Sequence, residues 1–357
     1  MDSSLAANEP STKAALVYPF EGPPPRGELL EVAPGVHWIR MPLPFALNHI
    51  NLWAIDDGAG WTIVDTGVRN DETTETWRQL FSLAVDGRRI TRVIVTHMHP
   101  DHVGMAGWLA RKFDCRLWMT RLEYLSCRTL VADTGREAPA DALAFYRRAG
   151  WSEAALERYG SRFGNFGKLI YTLPDSYRRI EDGETLTIGG RAWRVIVGSG
   201  HSPEHACLYC PELKVLISGD QILPRISSNV SVYPTEPDAN PMAEWLASLA
   251  KLKREVPEDV LVLPAHNECF RGLHDRITHL ERGQETAMVR LRRTLAEPKR
   301  AIDVFGALFA RTIDPANVAL LGMATGESLA CLNYLVHAGE ATCEPDDAGI
   351  AWYRMAA

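Results

Sequence analysis

The segment VIVTHMHPDHVGMAG, residues 93–107, constrains the fold more than any other part of the chain. Val93, Ile94 and Val95 form a β-branched apolar run that predicts a buried strand. His97, His99, Asp101 and His102 follow within six positions. His97 and His99 are two apart in extended chain, so both side chains can point at one ion, while Asp101 and His102 lie where the chain turns. Imidazole and carboxylate are the donors that suit zinc, manganese and iron. A fold that puts such a cluster at a strand end must bring other strand ends to meet it.

Those other strands are legible. Residues 1–26, rich in Pro, Ser, Gly and Ala, read as an extended N-terminal arm. From Val32 onward, GVHWIRMPL, INLWAIDD and GWTIVDTG are short apolar segments divided by Gly and Asp, the pattern of successive strands. A helix around Glu72–Ala84 leads into RVIVT, and VGMAGWLARKF is again helical. Residues 120–176 form a largely helical insertion, expected as a lid or wall over a pocket. Strand signals resume in ETLTIGGRAWRVIVGSG, ACLYCPE and KVLISGD, then a helix around Pro241–Arg254 and the strand DVLVLPAH. The two strand-rich halves predict two sheets facing one another.

From Gly272 a long helix runs through LHDRITHLERGQETAMVRLRRTLAE, followed by two helical segments and a hairpin-like EATCEPDDAGIAWYRM. Helices followed by a two-stranded wing predict a small winged-helix-like module. The expected division is an arm at 1–26, a catalytic domain at 27–283, and a linker helix with the winged-helix-like domain at 284–357.

Three further ligand-type residues stand directly after strand-like runs: His201 in GSGHSPEH, Asp220 in LISGDQ and His266 in VLPAHNE. Together with Asp65 in IVDTG and the THMHPDH segment, they resemble, in order, the five signature positions of the metallo-β-lactamase superfamily over about residues 30–283. The resemblance implies an α+β fold, the four-layer αββα sandwich. It also implies two divalent metal ions, zinc first, with iron and manganese served by the same donors. One ion would be held by His97, His99 and His201, the second by Asp101, His102 and His266, with Asp220 bridging both. Asp65 is implied to support the ligand loops by hydrogen bonding without touching metal. The true β-lactamases of the commonest kind place a cysteine at one zinc. No cysteine adjoins Asp220, which disfavours antibiotic hydrolysis.

Two cations about 3.5 Å apart lower the pKa of a shared bridging water toward neutrality and offset charge on an attacked oxygen. Asp101 is the candidate catalytic residue, placed to orient the nucleophile and relay its proton. In the polar loop QILPRISSNVSVYPTEPD, Arg225 could fork onto a substrate carboxylate or phosphate, or pair with a neighbouring acid. Tyr233 could donate to an oxyanion, or simply pack. Both are candidate substrate contacts. His205 reads as structural, and so do Cys207 and Cys210, a lone C-x-x-C in an alternating strand.

The net charge of −7 provides no global basic field for nucleic acid. A local excess (Arg276, Arg282, Arg290, Arg292, Arg293, Lys299, Arg300) reads as a solvated helix face. Seven cysteines, an odd number, fit free thiols in a reducing compartment. With no leader-like start and no apolar run of about 18 residues, the reading is cytoplasmic, without a membrane span. The expected function is hydrolysis of a small-molecule thioester or related ester, of acyl-CoA or acylglutathione type, as in the glyoxalase II-like branch. The alternatives are a single-stranded RNA endonuclease, as among proteins grouped with mammalian β-lactamase-like protein 2, and a lactone or phosphodiester hydrolase. A non-enzymatic binding module would leave the seven ligand-type residues without a purpose. Homo-oligomerisation is left open.

Overall fold

A computed structural model of the chain describes residues 16–44, 47–83 and 87–356. Fourteen strands are present among them. The first sheet contains β1 (Leu30–Ala33), β2 (Val36–Pro42), β3 (His49–Asp56), β4 (Gly60–Val64), β5 (Arg89–Ile94), β6 (Arg116–Met119) and β7 (Arg178–Arg179), in that spatial order. Its first four strands are antiparallel, and from β4 to β7 the pairing is parallel. The second sheet contains β8 (Thr185–Ile188), β9 (Arg191–Gly198), β10 (His205–Cys210), β11 (Val215–Gly219) and β12 (Leu261–Pro264), with β12 parallel to β11 and the rest antiparallel. A hairpin, β13 (Ala341–Pro345) with β14 (Ala351–Met355), stands apart.

The helices are α1 (Asp71–Leu83), α2 (Pro100–Val103), α3 (Ala106–Phe113), α4 (Arg121–Ala132), α5 (Ala140–Arg148), α6 (Glu153–Arg162), α7 (Pro241–Glu255), α8 (Leu273–Thr294), α9 (Phe305–Leu308) and α10 (Val318–His337).

Period-two alternation sorts the side chains into layers. Val36, Trp38, Trp53 and Ile55 of the first sheet meet Trp193, Val195, Leu208, Ile217 and Leu263 of the second in a core between the sheets. The opposite faces of the same strands, Ile39, Met41, Leu52 and Ile63, pack under Trp77, Leu80 and Leu109 of α1 and α3. Cys207, Leu216 and Val262 point outward from the second sheet into a third core with Trp245, Leu249 and Ile277 of α7 and α8. The result is the four-layer αββα sandwich. Cys207 and Cys210 fall in different cores on opposite sheet faces, and both are free thiols.

The insertion joins two layers. Tyr124 and Cys127 of α4 pack with the first sheet's helices, whereas Phe145, Tyr146, Trp151 and Leu156 belong to the same core as Leu321, Ala324 and Leu329 of α10. The indole Nε1 of Trp151 donates to Thr325 Oγ1 at 2.9 Å. The C-terminal helices and hairpin are thus continuous with the second sheet's outer core. In the arm, Val17 pairs with Arg271 and Arg26 bonds Glu72 and Thr76; residues 1–15 lie outside the described residues.

Two expectations need correction. Arg276 is not on a solvated face: it is 2% exposed and donates from Nε to Leu223 O (2.7 Å) and from Nη2 to Ile226 O (2.9 Å), fixing the loop after Asp220. And α10, at 20 residues, is long and apolar enough to cross a bilayer by length and composition. Its apolar face is absorbed by the third core, as in a core helix.

Candidate metal centre

Every ligand-type residue expected from the sequence stands just beyond a strand end, and the sandwich brings those ends to one edge. His97, His99, Asp101 and His102 follow β5; His201 lies in the β9–β10 loop; Asp220 directly follows β11; His266 follows β12. The backbone makes these approaches possible at two glycines. Gly104, between α2 and α3, has no room for a Cβ, which would lie 2.4 Å from Pro100 O and 2.6 Å from Gly67 O. Gly219 turns the chain into Asp220 with φ +52°, and a Cβ there would strike His205 Nε2 at 2.5 Å.

The side chains form two groups that could hold metal ions, His97, His99, His201 and Asp220 in one and Asp101, His102 and His266 in the other. His97 Nε2 lies 2.9 Å from His99 Nδ1 and 3.2 Å from His201 Nε2. Asp220 reaches both groups: Oδ2 is 3.4 Å from His201 Nε2 and 3.5 Å from His102 Nε2, while Oδ1 is 3.4 Å from His266 Nε2. Asp101 Oδ2 is 3.4 Å from His266 Nε2. A tetrahedral ion with bonds of about 2.1 Å holds its donor atoms about 3.4 Å apart, so the spacing fits metal ligation.

The outer nitrogens are committed elsewhere, which leaves the inner ones for ligation. His201 Nδ1 meets the Asn229 carbonyl at 2.7 Å, His97 Nδ1 meets Thr96 Oγ1 at 3.0 Å, and His102 Nδ1 meets Asp65 Oδ2 at 2.8 Å. Asp65, with φ +61°, also accepts the Thr96 amide at 2.8 Å. His205 is differently engaged: its Nε2 accepts the Asp220 amide at 3.1 Å and its Nδ1 faces Cys207 Sγ at 3.7 Å. Inside the cluster, His102 Nε2 and Asp220 Oδ1 are buried without a hydrogen-bond partner. Buried polar atoms are rarely left so, and a cation between them satisfies both.

Charge gives the same result. Burial and neighbouring imidazoles hold His97 well below its ordinary range and His99 down to about 3. At His102, burial opposes the charged form, yet the carboxylates of Asp65, Asp220 and Asp101 outweigh it and raise the pKa well above 6.5. His266 is likewise raised against burial by Asp220 and Asp101. Against their own burial, Asp220 and Asp101 are held well below the carboxylate range by His266 and His102. The carboxylates demand positive charge here, which a divalent ion supplies more fully than a proton.

Arg225 and Tyr233 are placed differently from one another. Arg225 forks onto Glu268 (2.7 and 2.9 Å) and lies over the Tyr18 ring, so the Nε–Nη2 edge that a substrate carboxylate would use is taken. Tyr233 is 44% exposed, and desolvation of its hydroxyl raises the phenol to about 12. Two carboxyls near the centre carry no sequence mark. Glu123 of α4 accepts the Met98 amide, and Glu327 of α10 accepts from Asn229 Nδ2 at 2.9 Å. Each sits in an ordinary helical run where no spacing signals it.

Metal-binding side chains at strand ends of an αββα sandwich define a class of metal-dependent hydrolase. The chain belongs to the metallo-beta-lactamase superfamily, whose family pattern matches residues 47–266. Residues 288–356 match the family described as the metallo-beta-lactamase-like C-terminal domain. The crystal structure of a beta-lactamase domain protein from Burkholderia ambifaria is 41% identical with a TM-score of 0.86, covering 96% of this chain and 98% of that one. The "Probable metallo-hydrolase YqjP" of Bacillus subtilis is 24% identical over 76% of this chain and 84% of its own length. The hydroxyacylglutathione hydrolase of Rhodopseudomonas palustris is 25% identical over 70% of this chain and 79% of its own.

Proposed function

We propose that the centre holds two divalent ions, zinc first, and that the protein hydrolyses a small-molecule thioester or related ester of acyl-CoA or acylglutathione type in the cytoplasm. The observation that carries the two-ion reading is Asp220, which reaches both ligand groups: Oδ2 lies 3.4 Å from His201 Nε2 and 3.5 Å from His102 Nε2, and Oδ1 lies 3.4 Å from His266 Nε2. Ligands would divide as His97, His99 and His201 on one side and Asp101, His102 and His266 on the other. When bound, such a pair makes water nucleophilic near neutral pH and offsets negative charge on the attacked carbonyl.

The chain's own residues do the rest. Asp101, kept anionic despite burial by His102 and His266, can accept a hydrogen bond from the attacking water and hold its orientation. Asp65, through His102 Nδ1, directs His102 Nε2 inward. Tyr233 is the candidate substrate contact, its phenol kept protonated by desolvation and able to donate. The likeness to a hydroxyacylglutathione hydrolase supports a thioester over other esters. A nucleic-acid substrate is not favoured, because several cations of the basic stretch are paired: Arg292 with Glu340, Arg300 with Asp303 and Lys299 with Glu297. The helices and hairpin after α8 support reading the C-terminal part as winged-helix-like.

The test is a metal count on the purified protein, followed by a panel of acyl-CoA, acylglutathione, lactone, phosphodiester and labelled RNA substrates. Two metal equivalents and thioester turnover lost in Asp101→Ala are expected. RNA cleavage abolished by Asp101→Ala, without thioester turnover, refutes the substrate reading.

A further inference from the structure

Glu123 is fully buried at the start of α4, and its two carboxylate oxygens accept from two different ligand loops. Oε2 takes the amide of Met98 at 2.9 Å, and Met98 sits between His97 and His99. Oε1 takes the amide of Glu204 at 2.8 Å, three residues after His201 and one before His205. The first loop leaves the first sheet and the second connects two strands of the other sheet, so one carboxylate spans the seam of the sandwich. Two more bonds latch α4 to the same place: Thr120 Oγ1 donates to Glu204 O and the Leu122 amide donates to Glu204 Oε2, both at 2.8 Å.

Resting on the metal-site reading above, we propose that Glu123 is a positioning residue that sets the spacing of the two loops and thereby the affinity of the His97, His99 and His201 half of the centre. A carboxylate has two acceptor atoms and no donor, so it alone among side chains of this length satisfies a peptide N–H on either side at once. Glutamine at this position would turn one N–H toward a peptide N–H and force the loops apart. The buried negative charge also favours a cation nearby, because little solvent screens it. Glu123 touches neither ion nor substrate; it acts through the backbone of the residues that do.

The experiment measures metal affinity by competition with a chromophoric chelator, and the visible spectrum of the cobalt(II)-loaded protein, for Glu123→Gln, Glu123→Ala and Glu123→Asp. Each is made in the wild-type chain and with His266→Ala, which leaves only the His97, His99, His201 and Asp220 group complete. Glu123→Gln should weaken the remaining site by about 10- to 100-fold and shift its cobalt spectrum. Glu123→Asp, which keeps the charge on a shorter stem, should lose less. Glu123→Gln at wild-type affinity overturns the proposal, as does an Asp variant no better than Gln. If Gln and Ala fail to fold, Glu123→Asp decides alone, and wild-type affinity there overturns it. A wild-type chain that binds no metal fails the metal-site reading itself.

Discussion

Oδ2 of Asp65 lies 2.8 Å from Nδ1 of His102, and Oδ1 of the same carboxylate accepts the Thr96 amide at 2.8 Å. One side chain therefore fixes both the tautomer of His102 and the start of the ligand loop. Asp65→Ala removes both bonds and should lower metal affinity by about 10- to 100-fold, read by chelator competition. Asp65→Asn should lose less stability than Ala, because Asn tolerates the left-handed φ of +61° and can still accept from Thr96.

The titration of the centre predicts how its metal-free form responds to pH. His102 and His266 have raised pKa values, so they contribute stability below about 6.5, and it is lost as pH rises through their folded values. His99, held down to about 3, has the opposite sign: below 6.5 the unfolded chain takes up a proton that the folded one refuses, and stability falls toward acid. Melting in EDTA should therefore peak at about pH 6–7. Metal binding near pH 7 should release protons, measured by calorimetry in buffers of different ionisation enthalpy.

Glu327 predicts a separable effect. Burial raises its carboxyl to about 8, with the bond from Asn229 pulling the other way. Between about pH 4.5 and 8 the unfolded chain ionises where the folded one stays neutral, so this group lowers stability as pH rises through that window. Glu327→Gln keeps an acceptor for Asn229 and should melt higher than wild type at pH 8, with the difference closing as pH falls to 4.5. A difference unchanged across that range would contradict the assignment.

Arg276→Met should loosen the loop after Asp220 by leaving the Leu223 and Ile226 carbonyls without this donor. Each buried group left unsatisfied costs about 1–3 kcal/mol. Chemical denaturation should register the loss, and hydrogen exchange should show it concentrated in residues 221–232.

The strands were legible because alternation is a direct record of two-sided burial: Val36 and Trp38 face one core, Ile39 and Met41 another. The convergence of the ligand-type residues on one edge was legible for a related reason, since donors placed after apolar runs emerge at strand ends; their division into two groups was implied only by the family resemblance. Side chains whose partners come from distant segments were not. Arg276 lies in a charged helix that reads as solvated, and only the path of the loop after Asp220 gives it two carbonyls. Arg225 gives no hint of Glu268, 43 residues on. Hydropathy alone cannot distinguish α10, a core helix, from a membrane span, because both exclude water. Glu123 was invisible because peptide N–H groups, its partners, exist at nearly every position.

The parallel pairing of β11 with β12 has a consequence for synthesis. Asp220 and His266 become neighbours only after α7 has crossed over and β12 has docked, and parallel pairing forms late because the intervening loop must close first. A chain still growing on the ribosome presents His97, His99 and His102 long before the partners that complete their cage exist. Helix α8, which caps β11 and β12 through Ile277 and Leu280, emerges later still. The order of emergence thus makes completion of the ligand set a late event in folding, a mark that the whole sandwich has closed.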